Sequence, residues 1–287
     1  MAIAAMLVAG GCVQTQLTVN ASCDRACLKG FIDQYLAALT AHQPQRLPLA
    51  NGARFTEDTV EMKLGEGLWR TASAIKSYRQ DIIDTRSGVA GAHVVVEEAG
   101  QPVLLALRLK IVARRIAEIE TMVVRGRDEG LIFQADNLIS ASKAMNVVPD
   151  PAARNSREAA IRIAELYPAG LKAGSFVAVD APFAADAYRL ENGRRMAGPG
   201  CQFRPPSCEN LKAQKIPTLS GVTYRLMAVD EELGIVWLHL DFGAGSTFGG
   251  SANSLIVWET FKVYDGKIHA VEAFMEVMPA GTPSGWD

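Results

Sequence analysis

Two stretches of this chain repeat apolar residues at helical spacing, and each is followed by segments that alternate at strand spacing. Residues 24–41 place Leu28, Phe31, Ile32, Tyr35, Leu36 and Leu39 on one helical face. Residues 156–173 do the same with Ile161, Ile163, Ala164, Leu166 and Leu171. Short extended segments follow at 55–64 and 183–194, punctuated by Gly65, Gly67 and Asn192-Gly193. Each half then reads as four strands, at 77–84, 89–98, 102–112 and 115–125, and again at 221–230, 234–242, 254–264 and 267–277. Tyr264-Asp265-Gly266-Lys267 between the last two is a strong hairpin signal.

The halves are copies. Tyr78, Arg79, Asp84, Gly88 and His93 recur as Tyr224, Arg225, Asp230, Gly234 and His239, all at an offset of 146 (224 against 78). Leu109-Lys110-Ile111, Ile116 and Glu120 recur as Phe261-Lys262-Val263, Ile268 and Glu272, at 152 (261 against 109). Phe55 and Asp58 answer to Phe183 and Asp186 at 128 (183 against 55). The changing offsets imply insertions, the largest at residues 201–208. We read an N-terminal segment (1–22), a first domain (23–126), a linker (127–154), a second domain (155–280) and a tail (281–287).

Composition narrows the partners. A net charge of −2, from 29 Lys and Arg against 31 Asp and Glu, gives no basis for a nucleic-acid partner. No apolar run reaches the roughly 18 residues a spanning helix needs. Residues 1–11 supply the apolar and small-residue parts of an export signal without its basic start, so either the true start lies upstream or the stretch is a frayed terminus. Val8-Ala9-Gly10-Gly11-Cys12 resembles a lipoprotein box with Ala9 where Leu is preferred, so a lipid on Cys12 is the one membrane link expected. Cys23 and Cys27, four apart on a helix, lie within disulfide reach, and Cys201 and Cys208 bracket a loop. Paired cysteines point to an exported protein; free thiols in a reducing cytosol are the alternative. The spacings do not match zinc sites.

One long helix, a short strand pair and a four-strand meander, given twice, is an α+β pattern of a helix packed in a curved, mainly antiparallel sheet. That order, with Lys262-Val263-Tyr264-Asp265-Gly266-Lys267-Ile268 near its end, resembles the superfamily of nuclear transport factor 2 and the SnoaL-like polyketide cyclases. The Cys-x3-Cys-Leu start also resembles a secreted bacterial and fungal group within it. The resemblance implies two tandem cone-shaped domains, each with a deep pocket between helix and sheet. It also implies chemistry without a cofactor, by acid–base transfer in an apolar cavity or by binding alone.

Candidate residues follow from the copies. His93 and His239 occupy equivalent positions, and histidine titrates near neutrality. His239 alternates with Trp237 and Asp241 on one face of its strand, where the first copy has Gly91 and Val95. Glu259 stands in an apolar strand where the first copy has Leu107, a broken local rule of the kind that marks sites. We therefore expect proton transfer to fall to His239, Glu259 or Asp241, with Tyr224 binding the oxygen on which charge develops. Trp237, Arg225, His93, Tyr78 and Trp69 would bind the substrate, and no metal or cofactor is expected. Because Leu238, Leu240 and Phe242 make the better core, the histidine face could instead pack against the other copy. Asp84 and Asp230 read as turn caps; Glu120 and Glu272 read as solvent-facing or paired with Lys110 and Lys262. The glycine run 243–251 reads as a loop over a pocket mouth.

The expected function is a cofactor-independent lyase or isomerase acting on a small hydrophobic, aromatic molecule of the lignin-dimer or polyketide kind. An exported module that binds such a ligand without turnover is the alternative. The two copies would form an intrachain pseudo-dimer.

Overall fold

The computed structural model describes residues 23–201, 208–245, 250 and 252–286. Asp24 caps the first helix by accepting from the Cys27 backbone N–H at 2.8 Å, and α1 (Arg25–Thr40) buries the predicted face from Leu28 to Leu39. Six strands follow: β1 (Leu49–Glu57), β2 (Val60–Glu61), β3 (Ala72–Asp84), β4 (Val89–Glu98), β5 (Gln101–Val112) and β6 (Arg115–Val124). They form one sheet in the order β2-β1-β6-β5-β4-β3, antiparallel except where β1 runs parallel to β6.

Two single-turn helices, α2 (Arg127–Gly130) and α3 (Lys143–Asn146), lead to α4 (Arg157–Ala173). The second sheet comprises β7 (Phe183–Glu191), β8 (Arg194–Ala197), β9 (Thr223–Asp230), β10 (Ile235–Asp241), β11 (Asn253–Tyr264) and β12 (Lys267–Pro279). Its order, β8-β7-β12-β11-β10-β9, repeats the first, with β7 parallel to β12. The chain is therefore α+β, with one topology built twice as two mixed six-stranded sheets. At the β11–β12 hairpin, Asp265 and Gly266 have φ of 48° and 67°, the two positive angles a tight two-residue turn requires.

Three apolar clusters hold this together. One joins α1 to a face of the first sheet, through Leu28, Ile32, Leu105 and Leu107 among others. A second joins α4 to the matching face of the second sheet, through Ala164, Tyr167, Val257 and Phe261. The third lies between the sheets, where Ile82, Val95 and Ala106 meet Ala228, Trp237 and Phe274. Both faces of the central strands are thus covered, which is why β4, β5, β11 and β12 are buried along nearly their whole length.

The α4 face is rotated from the expected one. Ala160, Ala164, Tyr167 and Leu171 are buried, while Ile161, Ile163 and Leu166 are only half-buried. The connecting stretch is packed rather than loose: Ala135, Leu138 and Met145 enter the inter-sheet cluster. Glu120 and Glu272 are likewise buried instead of solvent-facing. Glu272 accepts from Tyr188 at 2.6 Å and Tyr78 at 3.2 Å, and Glu120 from Arg225 at 2.5 Å. Lys262, fully buried, donates to the carbonyls of Met145, Val147 and Leu233, and its counterpart Lys110 to that of Ser87.

Candidate functional site

On β11, residues 257, 259 and 261 share one face, and that face looks toward α4. Glu259 therefore points into the interior of the second half. Tyr167 comes to it from α4, and Arg189 and Glu191 from β7. Arg189 Nη1 donates to the Tyr167 hydroxyl at 3.1 Å, and its Nε lies 2.8 Å from Glu191 Oε1. Glu259 Oε2 is buried and has no hydrogen-bond partner among the described residues.

Burial pushes the Glu259 carboxyl up to about 8 and Glu191 adds to the rise, while Arg189 and the Tyr167 hydroxyl pull it down. Near neutrality it is mostly the protonated acid. Burial also raises the Tyr167 phenol well above its ordinary value, so it remains a donor. Tyr167 is itself packed against rings, 4.9 Å from Phe176 and 5.0 Å from Phe261. The sequence singles out Glu259 but not Tyr167, Arg189 or Glu191 beside it. The signal for Tyr167 was its spacing from Ala164 and Leu171, three and four residues away on one helix face.

The remaining expected residues do not gather around Glu259. Trp237 and His239 lie on the opposite face of the second sheet, toward the first. Trp237 is fully buried there, with ring centres 5.6 Å from His93 and 5.3 Å from Trp258. His93 stacks on Phe274 at 4.5 Å, and burial pushes it down to about 3, so it stays neutral. These two are seam residues rather than pocket walls. The contrast of Trp237 with Gly91 has a steric cause. A Cβ on Gly91 would stand 2.2 Å from Trp237 Cζ3, so one copy must be small where the other is large. Trp69 is buried too, donating to the Tyr35 hydroxyl at 3.1 Å inside the first core instead of forming a pocket lip.

The shared Tyr-Arg pair is not equivalent in space. In β9 the pairing steps from Trp237–Ala228 to Leu238–Leu226, a one-residue bulge at Met227 that reverses the faces before it. Arg225 consequently reaches Glu120 across the seam, while Tyr224 is half-exposed and raised by burial and by Glu165 on α4. In the first copy Tyr78 enters the seam and Arg79 pairs with Asp81 and Asp33.

His239, Asp241, Tyr224 and Arg225 do line one common space, an open groove of about 370 Å³ completed by Thr59, Thr223, Ile256 and residues 282–284. Asp241 Oδ1 accepts from Ser254 Oγ and from the Gly243 N–H at 2.8 Å. Most of the glycine run beyond it, like Cys12, lies outside the described residues. Cys23 is bonded to Cys27 and Cys201 to Cys208. Among the described residues, no set of three or more His, Cys, Asp or Glu is arranged to hold a metal, and no helix is long and apolar enough to cross a membrane.

A family model, DUF8021 (domain of unknown function), matches residues 153–275, the second half of the chain. No curated protein matches the sequence. Among solved structures, a de novo designed protein with a curved β-sheet aligns at 14% identity and a TM-score of 0.30, over 35% of this chain and 87% of that one. A candidate ketosteroid isomerase from Kribbella flavida aligns at 10% identity and 0.29, over 35% of this chain and 80% of that one. Neither likeness reaches the level that establishes a shared fold.

Proposed function

We propose that the chain is an exported tandem protein of the nuclear transport factor 2-like kind, whose second half is a cofactor-independent lyase or isomerase. Its chemistry centres on Glu259. The observation that carries this reading is a buried carboxyl with an unpartnered oxygen, raised to about 8, in a position where the duplicate half has a core leucine. An acid that keeps its proton at neutral pH can give it to a substrate oxygen and take one back from an adjacent carbon. The Tyr167 phenol supplies a hydrogen bond to that oxygen as charge develops, and Arg189 steadies the carboxylate left behind. The aromatic surroundings suit a small hydrophobic, aromatic substrate. Two disulfides support an oxidising, exported setting.

One observation favours the binding-module reading: Tyr167, the hydroxyl neighbour of Glu259, is itself packed closely, stacked on Phe176 at 4.9 Å and edge-on to Phe261 at 5.0 Å. Turnover by metal-stripped protein on phenolic dimers, hydroxy-ketones and epoxides, followed by mass spectrometry, decides between them. Glu259→Gln should abolish turnover and His239→Ala should retain it. Loss in His239→Ala alone would refute the Glu259 assignment. A thermal shift with one compound and no turnover would leave a binding module.

A further inference from the structure

The groove at the edge of the seam is separate from the Glu259 centre, because its floor lies on the opposite face of the second sheet. Three parts of the chain build it. His239, Asp241 and Ile256 come from β10 and β11, Thr223 and Arg225 from the edge strand β9, and Thr59 from the first half. Residues 282–284 form the remaining wall. That wall is tied down: Trp286 Nε1 donates to Thr56 Oγ1 at 2.8 Å, its ring lies 4.6 Å from the Arg54 guanidinium, and Arg54 Nη2 donates to the Gly285 carbonyl at 3.0 Å. The groove is thus built from both halves and the tail, and about 370 Å³ falls within the range of small-ligand sites, about 300–1,000 Å³.

Its chemistry selects by charge. Arg225 and Asp241 project from the same face of neighbouring strands, since Arg225 pairs with His239 and Thr223 with Asp241 in the β9–β10 ladder. An anion entering the groove meets the Asp241 carboxylate, and Arg225, already ion-paired with Glu120, offers N–H donors rather than a free positive charge. A neutral molecule with adjacent hydroxyls satisfies both, donating to Asp241 and accepting from Arg225. The hydroxyls of Thr59 and Thr223 can do either. Glu120, 2.5 Å from Arg225, holds the guanidinium in place without removing its role as a donor.

We infer that this groove is a second binding site, for a neutral polyhydroxylated molecule of the sugar or polyol class. Titration of the full chain with myo-inositol, methyl glucoside, maltose and cellobiose by saturation-transfer NMR and calorimetry tests it, with benzoate and choline as charged controls. At least one of the four should bind saturably, and neither control should. Thr59→Val with Thr223→Val should weaken binding about tenfold, with melting temperature as the check on folding. Should that pair fail to fold, Asp241→Asn should weaken the same binding. Glu259→Gln should leave it unchanged, which separates this site from the acid–base centre. No saturation by any of the four up to about 50 mM, uptake of benzoate or choline in their place, or binding indifferent to the groove variants would overturn the assignment.

Discussion

Arg25 at the start of α1 grips Asp230 at the end of β9, with Nη1 2.7 Å from Oδ1 and Nη2 2.9 Å from Oδ2. The other half returns the contact. Arg157 at the start of α4 donates to Asp84 at the end of β3, at 3.0 and 2.6 Å. Each aspartate also accepts a backbone N–H from across the seam, Ile83 to Asp230 at 3.0 Å and Val229 to Asp84 at 2.9 Å. Each still caps its own turn, through Ser87 and Leu233. The repeat thus encodes a reciprocal clasp between halves. Asp84→Ala or Asp230→Ala should each lower unfolding free energy by about 3 kcal/mol, measured in urea, because a buried carboxylate with several donors is removed.

The clasp also has a pH signature. Burial works against the Asp84 carboxylate, but Arg157 and the amides of Ser87 and Val229 outweigh it and hold its pKa below the ordinary value. Stability from such a group is present above the unfolded pKa, about 3.9, and is lost as pH falls through the lower folded value. Asp84→Asn should therefore be less stable than the natural protein at pH 6, with the gap closing as pH falls through the lowered folded value. A constant gap across that range would show that the carboxylate's charge is not what matters.

Gly91 and Trp237 face each other where the two copies meet. Gly91→Ala would put a methyl group 2.2 Å from the indole and should destabilise by about 1–3 kcal/mol. Adding Trp237→Leu should recover part of that loss, because the ring that clashes is gone. Two losses that simply add in a double-mutant cycle would contradict the contact.

Element order and strand limits were legible because periodicity and turn residues are local. The helices 25–40 and 157–173 and the strands from β4 to β6 end within a residue or so of their expected limits. Which face of a strand meets which layer was not legible. With both faces of β10 buried, the alternation of Trp237, His239 and Asp241 against Leu238 and Leu240 is the same whichever side holds the helix. The bulge at Met227 leaves no mark in an ungapped repeat, yet it separates Tyr224 from Tyr78 in space. Glu259 was legible for the opposite reason: a carboxyl in an apolar run is anomalous on either face.

Asp58 and Glu276 meet across the seam beside Glu57, Glu98, Arg125 and Glu129. Burial, with neighbouring carboxylates, pushes Asp58 up to about 7 and Glu276 up to about 10, against the pull of Arg125. Folded-state values above the unfolded ones mean that stability is full below about pH 4 and is lost as pH rises toward 7 and beyond. Glu276→Gln removes one of the repelling charges. Its melting temperature should match the natural protein's at pH 4 and exceed it at pH 8. A variant less stable at pH 8 would mean that the carboxyl is held by a favourable contact rather than by a shared proton.

The same linkage makes Glu259 a test of whether a site is being kept at the expense of stability. Its folded value of about 8 lies above the unfolded value of about 4.3, so its burial weakens the fold increasingly as pH rises between them. Glu259→Leu restores the residue found in the duplicate at Leu107, where the same strand position is fully buried without strain on charge. The variant should be more stable by about 1–2 kcal/mol at pH 7, because an unpartnered buried oxygen is replaced by apolar contact. Its advantage should widen from pH 5 to pH 8. Turnover, or ligand binding in the interior, should disappear at the same time. A leucine variant that is less stable at every pH would mean that Glu259 belongs to a hydrogen-bonded structural network with Tyr167 and Arg189, and the acid–base reading would fall with it.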